Sequence, residues 1–212
     1  MRNYKIHFIR HGLTQANLEG RYIGRTDEPL CAQGIAQIKH LMEECDYPKV
    51  SKVYTSPLMR CVQTAEMLYP NTQIKEVAEL LEMDMGKFEG KTAEELKDNP
   101  DFLKWLENAV DNPPPNGEGM EDFLIRLVGA LNEIILDMME NEIFDAAIVT
   151  HGGAIMALLA AVALPKMPMN EWQCAGGAGY TAITSAQMWQ RDRTLEVVGY
   201  VPDGIQRLIA NK

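Results

Sequence analysis

Short apolar runs that end in polar or glycine residues, each followed by a segment of helical period, alternate along this 212-residue chain. "KIHFIR" runs into His11 and Gly12, and "KVYT" (52–55) into "SPLMRCVQTAEML". "AAIVT" (146–150) runs into His151, Gly152 and Gly153. Parallel neighbours in a sheet need a crossover connection, usually a helix, that returns the chain to the same end of the sheet. The alternation therefore predicts an α/β fold: a three-layer sandwich, a mainly parallel central sheet with helices on both faces. In such sheets ligands bind beyond the carboxyl ends of the strands. Arg10, His11, Arg60 and His151 all fall at or just past such ends.

The helices follow from spacing. Ile35, Ile38, Leu41 and Met42 recur with helical period. Ser56 reads as an N-cap and Pro57 as a first helical residue, with Leu58, Cys61, Val62, Ala65 and Leu68 on one face and Arg60 in the first turn. Residues 73–80 read as a third short strand. Met120, Phe123, Leu124, Leu127, Val128, Leu131, Ile135 and Met138 keep the period of a long helix. "NP" at 99–100 and "DNPPPNGEG" break the chain between 98 and 119, which is expected to be an irregular insert or lid. "YTAITSAQMW" and "TLEVVGYV" read as two closing strands of antiparallel character, and 203–212 as a tail helix. One domain over 1–212 is the expectation for this length.

Composition removes several classes of function. A formal net charge of -10 opposes a nucleic-acid partner, which needs a broad basic face. Cys31, Cys45, Cys61 and Cys174 show no C-x-x-C pair or regular spacing, so neither a zinc site nor a disulfide framework is indicated, and a cytoplasmic setting with reduced thiols is expected. The most apolar stretch, "AIMALLAAVAL" (154–164), is shorter than the roughly 20 residues that span a bilayer. It reads as a buried helix, and no membrane partner is expected.

Four groups then stand out: Arg10-His11-Gly12, Arg60, Glu82 and His151-Gly152-Gly153. Guanidinium forks match phosphate oxygens and keep their charge, and N–H groups at a helix start add donors for an anion. Asn17 could supply another. The natural guest is a phosphoryl group. A neutral imidazole can attack phosphorus and split one hard transfer into two easier ones, and neighbouring guanidinium charge favours that neutral form. A carboxylic acid must protonate the leaving oxygen. Glu82 is the candidate, read as the end of a short strand before a glycine turn, with Asp84 next in line. His7 and His40 read as structural or solvent-facing.

"FIRHGLTQAN", "GRTDEPLCAQG", "SPLMRCVQTA", "LLEMDMGKFEG" and "IVTHGGAI" resemble, in order, the motifs of the histidine phosphatase superfamily, which has the fold of cofactor-dependent phosphoglycerate mutase. The resemblance covers nearly the whole chain. It implies that His11 is the phosphorylated nucleophile and Glu82 the general acid and base. Arg10, Arg60 and His151 would form the phosphate pocket, Asn17 would help bind phosphate, and Arg21 and Gly24 would lie near the substrate. No metal and no other cofactor is implied. Cys31 stands where the family's loop usually has Thr or Ser, and Gly119 replaces the Ser common in its phosphatase branch. The span from Glu82 to Met120 is shorter than in mutases, which need a closed site. That favours a metal-independent phosphomonoesterase acting on a small phosphorylated metabolite, ahead of a mutase. A phospho-ligand binding module without turnover is the reading from another class.

Overall fold

The structure, a computed structural model, describes residues 2–210, with side chains through residue 207. Seven described strands form one sheet: β1 (Asn3–Arg10), β2 (Lys52–Thr55), β3 (Ile74–Glu76), β4 (Asp145–Thr150), β5 (Ala163–Leu164), β6 (Gly179–Ser185) and β7 (Leu195–Val201). Their order is β3-β2-β4-β1-β6-β7-β5. β1, β2, β3 and β4 pair in parallel, as do β5 and β7, whereas β6 pairs antiparallel with both neighbours. The mainly parallel α/β sandwich is thus as the alternation requires.

Side-chain alternation sorts the core into two layers. Ile6 and Phe8 of β1, with Ala146 and Ile148 of β4, pack under α6 (Met120–Glu140) and α7 (Gly152–Val162). Ile9, Ala147 and Val149 face the other way, against Ile38 of α2 (Ala32–Glu44) and Cys61, Ala65 and Leu68 of α3 (Met59–Leu68). A strand covered on both faces reads as a continuous apolar run, which is why "AAIVT" shows no polar alternation. α6 buries Phe123, Leu127, Leu131, Ile134, Ile135 and Met138. At about 1.5–3 kcal/mol for each large apolar side chain, that face outweighs the roughly 1 kcal/mol that Gly129 costs in mid-helix.

Several local expectations are corrected. The third strand is only Ile74–Glu76, followed by a single 3-10 turn at Ala78–Leu80. α3 begins at Met59 with Leu58 as a cap that makes no side-chain bond; Ser56 is used elsewhere. The 98–119 segment is not irregular throughout. Asn99 caps and Pro100 opens the helix α5 (Pro100–Glu107), just after the short α4 (Ala93–Leu96). The segment "YTAITSAQMW" is a strand only to Ser185, whose hydroxyl caps Met188 and starts α8 (Ala186–Asp192). Ile35 and Met42 are exposed, so α2 buries a narrower stripe than its apolar spacing suggested. The tail helix is α9 (Ile205–Ala210), and positions 211 and 212 lie outside the described residues. The short α1 (Gln15–Leu18) lies in the loop after β1. No helix among the described residues is long and apolar enough to cross a membrane.

Candidate active site

β1 and β4 are parallel neighbours with Arg10 opposite Thr150, so the next residue of each strand leaves the sheet at the same edge. Those residues are His11 and His151. The ladder continues one step further, the His11 N–H donating to the Thr150 carbonyl at 2.9 Å. The two rings stand edge to face with centroids 5.2 Å apart.

His11 is 5% exposed. Its Nδ1 lies 2.6 Å from the Gly12 carbonyl oxygen, which can only accept, so Nδ1 carries the proton and Nε2 the free lone pair. Burial, and then the charges of Arg60 and Arg10, pull the imidazole down to about 3 despite the Gly12 bond. The ring is neutral at any ordinary working pH. His151 is buried and occupies the N-cap of α7 without capping it through its side chain. Its Nε2 pairs instead with Ser56 Oγ at 2.8 Å, and the Cys61 thiol packs on the ring. Burial first, then His11 and Arg60, hold His151 well below the usual histidine range.

Arg60 is 1% exposed in the first turn of α3, where the helix dipole disfavours a cation. Two carbonyls offset that: Nη1 donates to Thr26 O at 2.7 Å and Nη2 to Gly24 O at 2.9 Å. Arg10 donates to Cys174 O at 2.9 Å. Arg10 also lies so close to Gly152 that a Cβ there would sit 3.2 Å from Nε.

The sequence reading places Glu82 at the end of a strand; in the structure it lies outside any strand, two residues past the Ala78–Leu80 turn, because β3 already ends at Glu76. It is 8% exposed. Its carboxylate accepts the N–H groups of Met83 and Gly153, both at 2.9 Å. Burial raises its pKa against those two bonds and against Arg60 and Arg10, which lower it. The approach is close: a Cβ at Gly153 would fall 2.6 Å from Glu82 Oε1, so a side chain there would push the carboxylate aside. Asp84 caps the Gly86 N–H at 2.8 Å and does not reach the cavity.

A cavity of about 290 Å³ opens over these groups, lined by Arg10, His11, Asn17, Arg21, Glu82, Gly152 and Gly153 together with apolar residues. His151 and Arg60 lie buried beyond its surface rather than on it. Asn17 Oδ1 accepts the Thr14 N–H in a capping box, which leaves the amide nitrogen as the donor. Gly24 is not part of the lining. It is a packing glycine, where a Cβ would meet the Met83 carbonyl oxygen at 1.9 Å. Larger surface grooves, of about 760 and 640 Å³, hold no histidine. Among the described residues, no three His, Cys, Asp or Glu side chains gather as metal ligands would.

Sequence reasoning missed two features. Ser56 reads from the sequence as a helix cap, whereas its hydroxyl serves His151. Arg126 of α6 donates to Glu79 O at 2.7 Å, Leu81 O at 2.6 Å and Glu82 O at 2.9 Å. Glu118 holds the same guanidinium at 2.6 and 2.8 Å and accepts the Asp84 N–H. This pair pins the main chain that carries Glu82. The visible signal was one arginine inside the apolar "FLIRLV" and one acid in "PNGEG".

The model of the histidine phosphatase superfamily (branch 1) matches residues 6–200. The adenosylcobalamin/alpha-ribazole phosphatase of Escherichia coli is 28% identical over 197 residues, covering 90% of this chain and 95% of that protein. The uncharacterized phosphatase PhoE of Bacillus subtilis is 34% identical over 153 residues, 71% of this chain and 73% of its own. The crystal structure of a phosphoglycerate mutase from Bacillus anthracis superposes with a TM-score of 0.76 at 18% identity, covering 93% of this chain and 92% of that one. At that identity the likeness is one of fold.

Proposed function

The chain belongs to the histidine phosphatase superfamily and is a phosphoric monoester hydrolase, and we propose that it is a metal-independent one, acting on a small phosphorylated metabolite through a phosphohistidine at His11. The observation that carries this reading is the His11 ring: buried, oriented by Gly12 through Nδ1, and edge to face with a second buried imidazole.

In the first step His11 Nε2 attacks phosphorus as the ester P–O bond breaks, and the leaving oxygen takes the proton of Glu82. In the second, water attacks the phosphohistidine and gives a proton to the Glu82 carboxylate. The P–N bond breaks, phosphate leaves and the ring returns neutral. Nδ1 keeps its hydrogen bond to Gly12 throughout. Charge on the equatorial oxygens is met by Arg10 and Asn17 on the cavity wall and, from the layer buried behind it, by Arg60 and His151, so catalysis rests on positioning and electrostatic stabilisation. Burial supports Glu82 as the acid, because it keeps the proton on the carboxyl to a higher pH.

The test is phosphate release from an ester panel in excess chelator, with acid-labile phosphoprotein trapped in parallel. The wild type should do both. His11→Ala should lose phosphoprotein and at least about a thousandfold in turnover, with its circular dichroism unchanged. Interconversion of phosphoglycerates outpacing phosphate release would instead mark a mutase. Binding without turnover would mark a phospho-ligand module.

A further inference from the structure

Beyond the phosphate groups, the cavity wall is apolar: Tyr22, Met83, Trp105, Met120, Phe123 and Met169 line it from five separate segments. The one other cation on the wall is Arg21, and its charge is already matched. Its Nε donates to Glu19 at 2.7 Å, and its Nη1 to Glu95 at 3.2 Å and to Gly90 O at 2.7 Å. Among the described residues, a substrate bearing a second anionic group would meet on this wall only that paired guanidinium, with two carboxylates beside it, in a protein of net charge -10. A ring or chain would meet carbon and thioether surfaces, which adapt to varied shapes.

Trp105 is the part of that wall supplied by the 98–119 segment. It stands on α5 within an aromatic cluster, with ring centroids 5.5 Å from Tyr22, 5.7 Å from Phe102 and 5.9 Å from Phe88. The indole is therefore held in place before any ligand arrives, and a flat apolar group gains most from a preformed surface. We propose that the alcohol half of the substrate is uncharged and apolar, of ring size, and that Trp105 is the residue that selects it. This rests on the phosphomonoesterase reading above and narrows its substrate class.

The experiment compares primary-alcohol esters of similar intrinsic reactivity: 2-phenylethyl phosphate, glycerol 1-phosphate and phosphoserine. The apolar ester should lead both others in kcat/KM by at least about tenfold, the step that 1.4 kcal/mol of binding makes. Trp105→Ala should shrink that lead to about twofold, chiefly through KM, and Trp105→Phe should retain most of it. The Phe variant keeps the cluster packed should the Ala variant unfold. Equal or better turnover of phosphoserine, or a lead untouched in a folded Trp105→Ala protein, would overturn the proposal. Should no ester turn over, the enzyme reading fails by itself. Dissociation constants of the same three esters for the His11→Ala protein still decide this one: tighter 2-phenylethyl phosphate supports it, and tighter phosphoserine overturns it.

Discussion

Each chemical group of the site is held by a neighbour of the opposite hydrogen-bonding kind. Gly12 orients His11, Ser56 orients His151, and the N–H groups of Met83 and Gly153 fix Glu82. Glu82→Gln removes the transferable proton, so turnover of alkyl esters should fall by about 10²–10⁴-fold, and that of p-nitrophenyl phosphate far less, since a good leaving group needs no acid. Equal losses on both would move the acid role to another residue. Burial holds the Glu82 proton to a higher pH, so alkyl-ester turnover should decline as pH rises through that raised value, a limb absent from the Glu82→Gln profile. Gly153→Ala places a methyl 2.6 Å from Glu82 Oε1. It should reproduce the leaving-group dependence of Glu82→Gln in a protein that still traps phosphate on His11.

At the scale of elements, the loop bearing Glu82 has no ladder of its own and borrows rigidity from α6. Arg126 makes three bonds to its carbonyls and an ion pair with Glu118, both largely buried. Breaking such a pair strands the partner, so Arg126→Met should cost about 3–5 kcal/mol of stability. If Arg126 positions the acid, alkyl esters should suffer more than p-nitrophenyl phosphate, and Arg126→Lys should restore little, lacking the fork. Uniform losses across esters would leave it a purely structural residue. α5 is another borrowed element. Phe88, Leu96 and Phe102 form a small cluster apart from the main core, with Tyr22 and Trp105 packed on it. Phe102→Ala should therefore loosen α5 locally and raise KM for an apolar ester in a protein that still folds, as steady-state kinetics beside a melting curve would show.

Across the whole molecule, acid sensitivity follows from three buried histidines. His7, on β1, is bonded to Thr181 and Asp145, and burial lowers its pKa, as it does for His11 and His151. Unfolded histidine titrates near 6.5. Below that pH the unfolded chain takes up protons that the folded rings refuse, so the stability these groups provide is complete above 6.5 and lost as pH falls toward the folded values. Each can contribute up to about 1.4 kcal/mol per pH unit in that window. Glu82 works in the opposite sense, its raised value favouring the fold at low pH. Tm should drop between pH 7 and 4, and His11→Asn should make the drop shallower. An unchanged slope would mean that His11 is solvated and protonated in the fold.

The chain read alone was enough for the sheet-and-helix alternation and for the strand ends that carry His11 and His151, because period and residue type act over a few neighbouring positions. Boundaries were less legible where a polar residue had two possible partners. Ser56 looks like a cap until His151 is beside it, and Ser185 looks like strand until its hydroxyl turns to Met188. Arg126, Glu118, the packing role of Gly24 and the aromatic setting of Trp105 belong to the tertiary structure alone. Each depends on a contact between segments far apart in the chain, and one sequence carries no distance between them.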